Sequence, residues 1–194
     1  MVNLNKRGQK VSLTKEAPSM VRMLVGLGWK VNKYDGGSDF DLDGSAFLGN
    51  DSGRCRDEND FVFYGNPMHP SGAVYSDGDN KEGNDGSGDA EQIHVDLSKV
   101  EPGITKISFS VTIYDADKRN QTFGQISDAY IRIVNEDTGE QILRYDLGED
   151  FSIETAIVAA EIYKHGSEWK FNSVGAGFEG GLAAICKNFG IDAE

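Results

Sequence analysis

A β-sandwich of two antiparallel sheets with a short C-terminal helix is the fold this sequence predicts, on three observations. Apolar and polar residues alternate in several short runs, as at Ile107, Phe109, Val111 and Ile113, the two-residue period of strands buried on one face. The chain has 24 glycines and 4 prolines, a balance suited to many strands joined by tight turns. One stretch near the end, Leu182 to Phe189, reads as a helix, with Gly190 placed as its stop. At 194 residues the chain fits a single domain, 1–194, with enough apolar residues for a sizeable core.

Taken in order, Val2-Asn3-Leu4 and Val11-Ser12-Leu13 read as short strands around a basic turn. Met20 to Trp29 is too rich in Val and Gly for a good helix and reads as a central strand. Asp35-Gly36-Gly37 is a turn. Next, Phe40 and Leu42 face the core, which sends Asp39, Asp41 and Asp43 to the opposite side. A shift at Gly44-Ser45 then lets Ala46 or Phe47 point inward. Phe61 to Tyr64 follows, and a hairpin between these two strands returns Asn66 beside Asp39. Val74-Tyr75 and Ile93 to Leu97 are strands flanking a turn-rich segment. Further strands are expected at Ile104–Tyr114, Ala129–Val134 and Gln141–Leu147, the last two joined by the turn Glu136-Asp137-Thr138-Gly139. Asp115 to Ser127 is polar, with room for a short helix. Ile153 to Tyr163 fits a helix or a strand, and the turn Lys164 to Ser167 leading into Trp169-Lys170-Phe171 favours a hairpin.

The charge is unevenly placed. The formal net charge is -13. Residues 35–91 carry three Lys/Arg against fourteen Asp/Glu, whereas residues 1–34 carry seven against one. Within Ser76 to Glu91, oxygen-bearing side chains alternate with glycines. That pattern suits a hard cation: calcium takes about six to eight oxygen ligands at roughly 2.3–2.6 Å, and glycines let the backbone curl around it. Asp39, Asp41, Asp77, Asp79, Asn80, Asp85, Asp89 and Glu91 are the candidate metal ligands. An EF-hand does not fit, because that loop needs Gly in its sixth place and Glu in its twelfth. With Glu91 last, the sixth place is Asp85; a start at Asp85 puts Ala90 sixth, and a start at Asp77 puts Lys81 fifth. A metal site here must be assembled from loops at one end of a β structure.

The acidic balance argues against nucleic acid, which needs a basic face. No apolar run is long enough to span a bilayer, and the N-terminus lacks the apolar core of a signal peptide. A cytosolic location is therefore expected, with Cys55 and Cys186 as free thiols, Cys55 an exposed one. His69, His94 and His165 read as surface or turn histidines without a serine or cysteine partner. The acidic pairs Asp115 with Asp117, and Asp146 with Glu149 and Asp150, read as solvated turn residues. No catalytic constellation is expected.

Beyond these readings, the sequence resembles the TerD family of tellurite-resistance and bacterial stress proteins. The resemblance is carried by Val25-Gly26-Leu27-Gly28-Trp29, Asp39 through Phe47, Asp60-Phe61-Val62-Phe63-Tyr64, and Gly78-Asp79-Asn80 with its acidic segment. It continues through Val111 to Ala116, Phe123-Gly124-Gln125, Ala129 to Asn135, Arg144-Tyr145-Asp146-Leu147 and Glu168-Trp169-Lys170-Phe171. The resemblance implies a β-sandwich with calcium sites at one end and no established enzymatic activity. It also implies a cytoplasmic role in stress resistance, with other tellurite-resistance proteins as partners. One of these is membrane-bound, which extends the expected location to the inner face of the membrane. The sequence departs from the family pattern at Glu82, Ser87 and Ala90 and by one residue inserted before Gly86, which removes two potential carboxylate ligands. A metal-dependent enzyme, and a module that binds phospholipid or a small molecule through bridging calcium, stay open as alternatives.

Overall fold

The computed structural model describes residues 1–31, 40–77, 88–148 and 151–192. Among the described residues, twelve strands form two six-stranded sheets. The first contains β1 (Val2–Leu4), β3 (Arg22–Val31), β6 (Val74–Ser76), β7 (Glu91–Asp96), β9 (Ile126–Asn135) and β10 (Gln141–Asp146), in the order β1-β10-β9-β3-β7-β6. The second contains β2 (Lys10–Ser12), β4 (Leu42–Gly49), β5 (Phe61–Val62), β8 (Lys106–Ile113), β11 (Ala156–His165) and β12 (Glu168–Phe178), in the order β2-β12-β11-β8-β4-β5. All pairs are antiparallel except β1 with β10, a parallel pair on the edge of the first sheet. A one-turn helix α1 (Leu13–Glu16) follows β2 directly, where the sequence suggested that the strand would run on. Its start is capped by the Ser12 hydroxyl, which accepts from the Lys15 N–H.

Inward-facing residues of both sheets close one core. Met23, Val25 and Leu27 of β3 lie against Ile93, Val95, Ile131 and Ile133 of their own sheet and against Ile107, Phe109, Ala160 and Ile162 of the other. The ambiguous segment after Ile153 is a strand because it has partners on both sides, β8 and β12. The second sheet is also buried on part of its outer face. There α3 (Gly181–Phe189) sets Ile185, Cys186 and Phe189 against Phe47, Phe61, Ala156 and Val158. Phe189, Phe47, Phe61 and Phe63 form a continuous ring stack with centroids 4.2, 4.4 and 4.3 Å apart.

Two expectations for β4 and β5 are corrected. No shift occurs at Gly44-Ser45, since β4 pairs with β8 without interruption from Leu42 to Gly49. Leu42, Ala46 and Leu48 therefore stay on the core face, and Phe47 turns outward under α3. The hairpin expected to carry Asn66 back beside Asp39 is cut short on the β5 side, and Asp39 itself lies outside the described residues. A tight turn pairs Phe63 with Asn66, whose side-chain amide donates to the Phe61 carbonyl at 2.8 Å, so the chain reverses soon after β5.

Register decides what gathers where. β4 opens at Leu42 opposite Ile113, the end of β8; β11 opens at Ala156 opposite Phe178, the end of β12; and β7 opens at Glu91 opposite Leu27. Segments 40–41, 88–90, 114–125 and 151–155 accordingly share one end of the sandwich. The Tyr114 N–H donates to the Asp41 carbonyl and the Phe123 N–H to that of Glu154, both at 2.8 Å, tying these segments together. The polar stretch after β8 carries a one-turn helix, α2 (Ala116–Arg119).

Candidate functional site

The expected ligands that are described do not converge at this end of the sandwich. Asp39, Asp79, Asn80 and Asp85 lie outside the described residues. The other four occupy three different places. Among the described residues no group of three or more His, Cys, Asp or Glu side chains is arranged to hold a metal ion.

Glu91 opens β7 on the same side as Ile93 and Val95, so its side chain points between the sheets and is 4% exposed. Its stem lies where a Cβ on Gly44 of the facing sheet would come, at 3.0–3.2 Å, beside Leu27. The glycine at 44 thus makes room for a carboxylate at the mouth of the core. Asp41 borders the same end, half-exposed, its carboxylate 3.9 Å from the Arg119 guanidinium.

Asp89 sits on the other side of the first sheet. A Cβ on Gly26 would come within 2.1–2.5 Å of the Asp89 carboxyl atoms, and one on Gly28 within 2.3–2.5 Å of the Tyr130 ring. Leu27, between these glycines, faces the core, so both glycines open on the outer face. Asp89 and Tyr130 fill the slot they leave. The Asp89 side chain is fully buried, and Arg132 clamps it with two bonds, Nε to Oδ1 at 2.7 Å and Nη2 to Oδ2 at 2.8 Å. The Tyr130 hydroxyl donates to Oδ1 at 2.9 Å, and Gln92 Nε2 approaches Oδ2 at 3.4 Å. The hydrogen bond to Asp89 raises the Arg132 pKa, and burial, followed by the charge of Asp89, raises that of Tyr130. Arg144 lies over the Tyr130 ring at 3.7 Å and pairs with Asp146 at 2.7 Å.

Asp77, at the other end of the acidic segment, is held on the same outer face by His94 of β7. Nε2 of His94 lies 2.8 Å from the Asp77 carboxylate, Nδ1 bonds Glu136, and Tyr75 stacks on the ring at 4.4 Å. Burial opposes a charged imidazole here, but hydrogen bonds to the Glu136 and Asp77 carboxylates outweigh it and hold the His94 pKa above its ordinary value. His94 is therefore largely covered, and not the surface histidine the sequence suggested, with two carboxylates as partners in place of a serine or cysteine.

His69 needs a larger correction. It is 1% exposed, with Nε2 at 3.1 Å from Asp60 Oδ1 and Nδ1 at 2.7 Å from the Ser71 hydroxyl, so it has the serine neighbour the sequence reading denied it. Arg56 clamps Asp60 through Nε at 2.9 Å and Nη2 at 2.7 Å, and its backbone N–H adds a third bond at 2.8 Å. The Ser71 N–H also points at Nδ1, at 3.2 Å, and the Ser71 hydroxyl accepts from the Ala73 N–H at 3.1 Å. These bonds fasten the turn 69–73. Cys55 is half-buried instead of exposed, and burial pushes its thiol up to about 12. Of the acidic pairs, Asp115 is paired with Lys118 at 3.0 Å and Asp146 with Arg144; Glu149 and Asp150 lie outside the described residues.

Sequence reading missed the partners that hold Asp89 and Asp77, Arg132 and His94. Signals for them exist. Arg132 stands between the core residues Ile131 and Ile133, so it must point outward, and the alternation of Gly26 and Gly28 marks one face of β3 as a slot.

With this geometry in hand, comparison with known proteins is direct. Residues 1–189 match the family described as the TerD domain. The chain belongs to the TerD family. It is 56% identical over 185 residues to the uncharacterized protein YceE of Bacillus subtilis (strain 168), spanning 95% of this chain and 96% of that one. It is 50% identical over 193 residues to the tellurium resistance protein TerD of Serratia marcescens, spanning 100% and 99%. General stress protein 16U of Bacillus subtilis is 54% identical over 185 residues, spanning 95% of each chain. The TerD family is thus one of tellurium resistance and general stress response, and these names carry no enzymatic activity. The crystal structure of a homologue of telluride resistance protein (TerD) from Streptomyces coelicolor A3(2) superposes with a TM-score of 0.65 at 22% identity. It covers 84% of this chain and 94% of that one, a likeness of fold. No helix among the described residues is long and apolar enough to cross a membrane.

Proposed function

We propose that this TerD-family chain is a calcium-binding, non-enzymatic stress-response protein whose acidic end responds to the ion and presents a surface to partner proteins. The supporting observation is Glu91, a carboxylate buried at the mouth of the core and given room by Gly44. It lies at the end of the molecule from which the Gly-rich, acid-rich segment departs. The candidate donors there are carboxylates, oxygen ligands of the kind a hard cation takes. Glu91 and Asp41 are the described residues that would contribute to holding calcium, together with the acids of segment 78–87. Bound calcium would supply positive charge that offsets the surplus of carboxylates.

The work available to such a switch is bounded. An ion that binds only the folded, ordered form stabilises it by RT ln(1 + [L]/Kd), about 2.7 kcal/mol at about a hundredfold excess over Kd. That is enough to shift a two-state equilibrium from mostly open to mostly ordered. The partners proposed are other tellurite-resistance proteins, one of them membrane-bound, recognised through the ordered acidic end. Titration calorimetry with calcium tests the reading: saturable binding, weakened in Glu91→Gln, supports it. No heat and no change in melting on adding EDTA would remove it. Pull-down of membrane fractions with calcium and with EDTA tests the partner half, which requires capture only when calcium is present.

A further inference from the structure

The fourteen acids of residues 35–91 are not equivalent, and the outer face of the first sheet sorts them. Asp89 lies in a slot that exists because β3 has glycines at 26 and 28; any side chain at 26 would occupy the space of its carboxylate. Both of its oxygens are taken by Arg132, one is shared with the Tyr130 hydroxyl, and the other is approached by Gln92. An ionised carboxylate has about four lone-pair sites, so these bonds leave it little capacity for a metal. Its direction is also wrong. Glu91, two residues on, points between the sheets, whereas Asp89 lies on the opposite face of the same sheet, so the two cannot close on one ion without rebuilding residues 88–91.

We propose that Asp89 is the anchor of the acidic segment and not a ligand, with Arg132 as its built-in counter-cation. This inference rests on the calcium reading above and divides the acids into those that hold the segment to the sheet and those left to meet an ion. The other end repeats the arrangement: Asp77 is held on the same face by His94, which Glu136 and the Tyr75 ring keep in place. Arg132 is a positioning residue. Removing it, or Asp89 alone, frees residues 88–90 and leaves a buried partner unpaired. Replacing both with apolar residues of similar size keeps the end pinned, because a buried ion pair and a well-packed apolar pair hold equally well in many proteins.

The test uses the full chain and calcium alone as the probe. Calorimetric titrations compare the unmodified protein with Asp89→Asn, Arg132→Gln and the double change Asp89→Leu with Arg132→Met. If Asp89 is an anchor, the two single variants lose affinity by a similar factor, about tenfold. The apolar double variant then keeps the ion count and recovers affinity to within about threefold of the unmodified protein. A ligand role cannot be restored by leucine. If the double variant loses an ion, or Arg132→Gln binds more tightly while Asp89→Asn loses about a hundredfold, the proposal is overturned. Should the unmodified protein take up no calcium, the preceding reading falls on its own. The anchor is then judged by thermal melts of Asp89→Asn, Arg132→Gln and their combination. Non-additive shifts support it and additive ones refute it.

Discussion

Gly26→Ala is the most informative single substitution in this fold, because two principles give it opposite signs. A glycine inside a strand ordinarily costs about 0.5–1 kcal/mol relative to alanine, so replacing it should stabilise. Here the new methyl would lie 2.1 Å from Asp89 Oδ2 and 2.3 Å from its Cγ. The carboxylate would have to withdraw by about 1 Å or more to regain van der Waals distance. Bonds of 2.7 and 2.8 Å to Arg132 do not survive that displacement. Disrupting a buried charge pair costs about 3–5 kcal/mol, which leaves a net loss of about 2–4 kcal/mol after the backbone gain. For a chain of this length, 1 kcal/mol is worth about 2–4 °C in Tm, so melting should fall by about 5–15 °C. The control is Gly88→Ala, where an added Cβ meets nothing within 4 Å and the change should stay within about 0.5 kcal/mol. Differential scanning calorimetry at pH 7 measures both. A Gly26→Ala protein that melts at or above the unmodified one would refute the slot, and with it the reason Asp89 lies where it does.

Other outcomes follow from the same packing and electrostatics. Phe189→Ala removes the ring 4.2 Å from Phe47 and should cost about 3–5 kcal/mol in urea denaturation; a loss below about 1 kcal/mol would mean that α3 is not held by the ring stack. Asp60 is pushed up by burial, but the hydrogen bonds from Arg56 outweigh this and leave its pKa below the ordinary carboxylate value. Its contribution is therefore present above the unfolded pKa of about 3.9 and lost as pH falls through the lower folded value. The stability difference between the unmodified protein and Asp60→Asn should be full at pH 6 and shrink in acid; urea melts showing it constant down to the folded pKa and below would contradict this. Burial pushes the thiols of Cys55 and Cys186 up to about 12 and about 11. At pH 8 both should react with a disulfide reagent at least about tenfold more slowly than in urea; equal rates would show that they are not sequestered.

What the sequence disclosed and what it hid divide along chain distance. Strands such as Ile107 to Ile113 are legible because their alternation is local and one face meets the core. The strand after Ile153 was ambiguous because its alanines and isoleucines satisfy either period, and the answer lies in its partners β8 and β12. The acidic segment is conspicuous in composition, and composition carries no sign of its compensation. Asp89 is clamped by Arg132, 43 positions away, and Asp77 is held by His94, 17 away. Sheet order creates these pairs, since β3 lies between β7 and β9, and β6 lies next to β7. Counting carboxylates in one stretch therefore overstates the number that need an ion. The turn at His69 is the opposite case, for its serine partner is two residues away and was overlooked although local. The hairpin before Asn66 is shorter than a register extrapolated from sequence implies, because only two residues pair as β5 before the chain turns.

The most direct measurement of the central claim is a crystal structure of the full chain grown in millimolar calcium. The expected result is density at the acidic end for at least one ion, with oxygen ligands at about 2.3–2.6 Å including Glu91, and with Asp89 still clamped by Arg132. A map in which that end holds no ion at saturating calcium, with Glu91 paired only to protein groups, would contradict it.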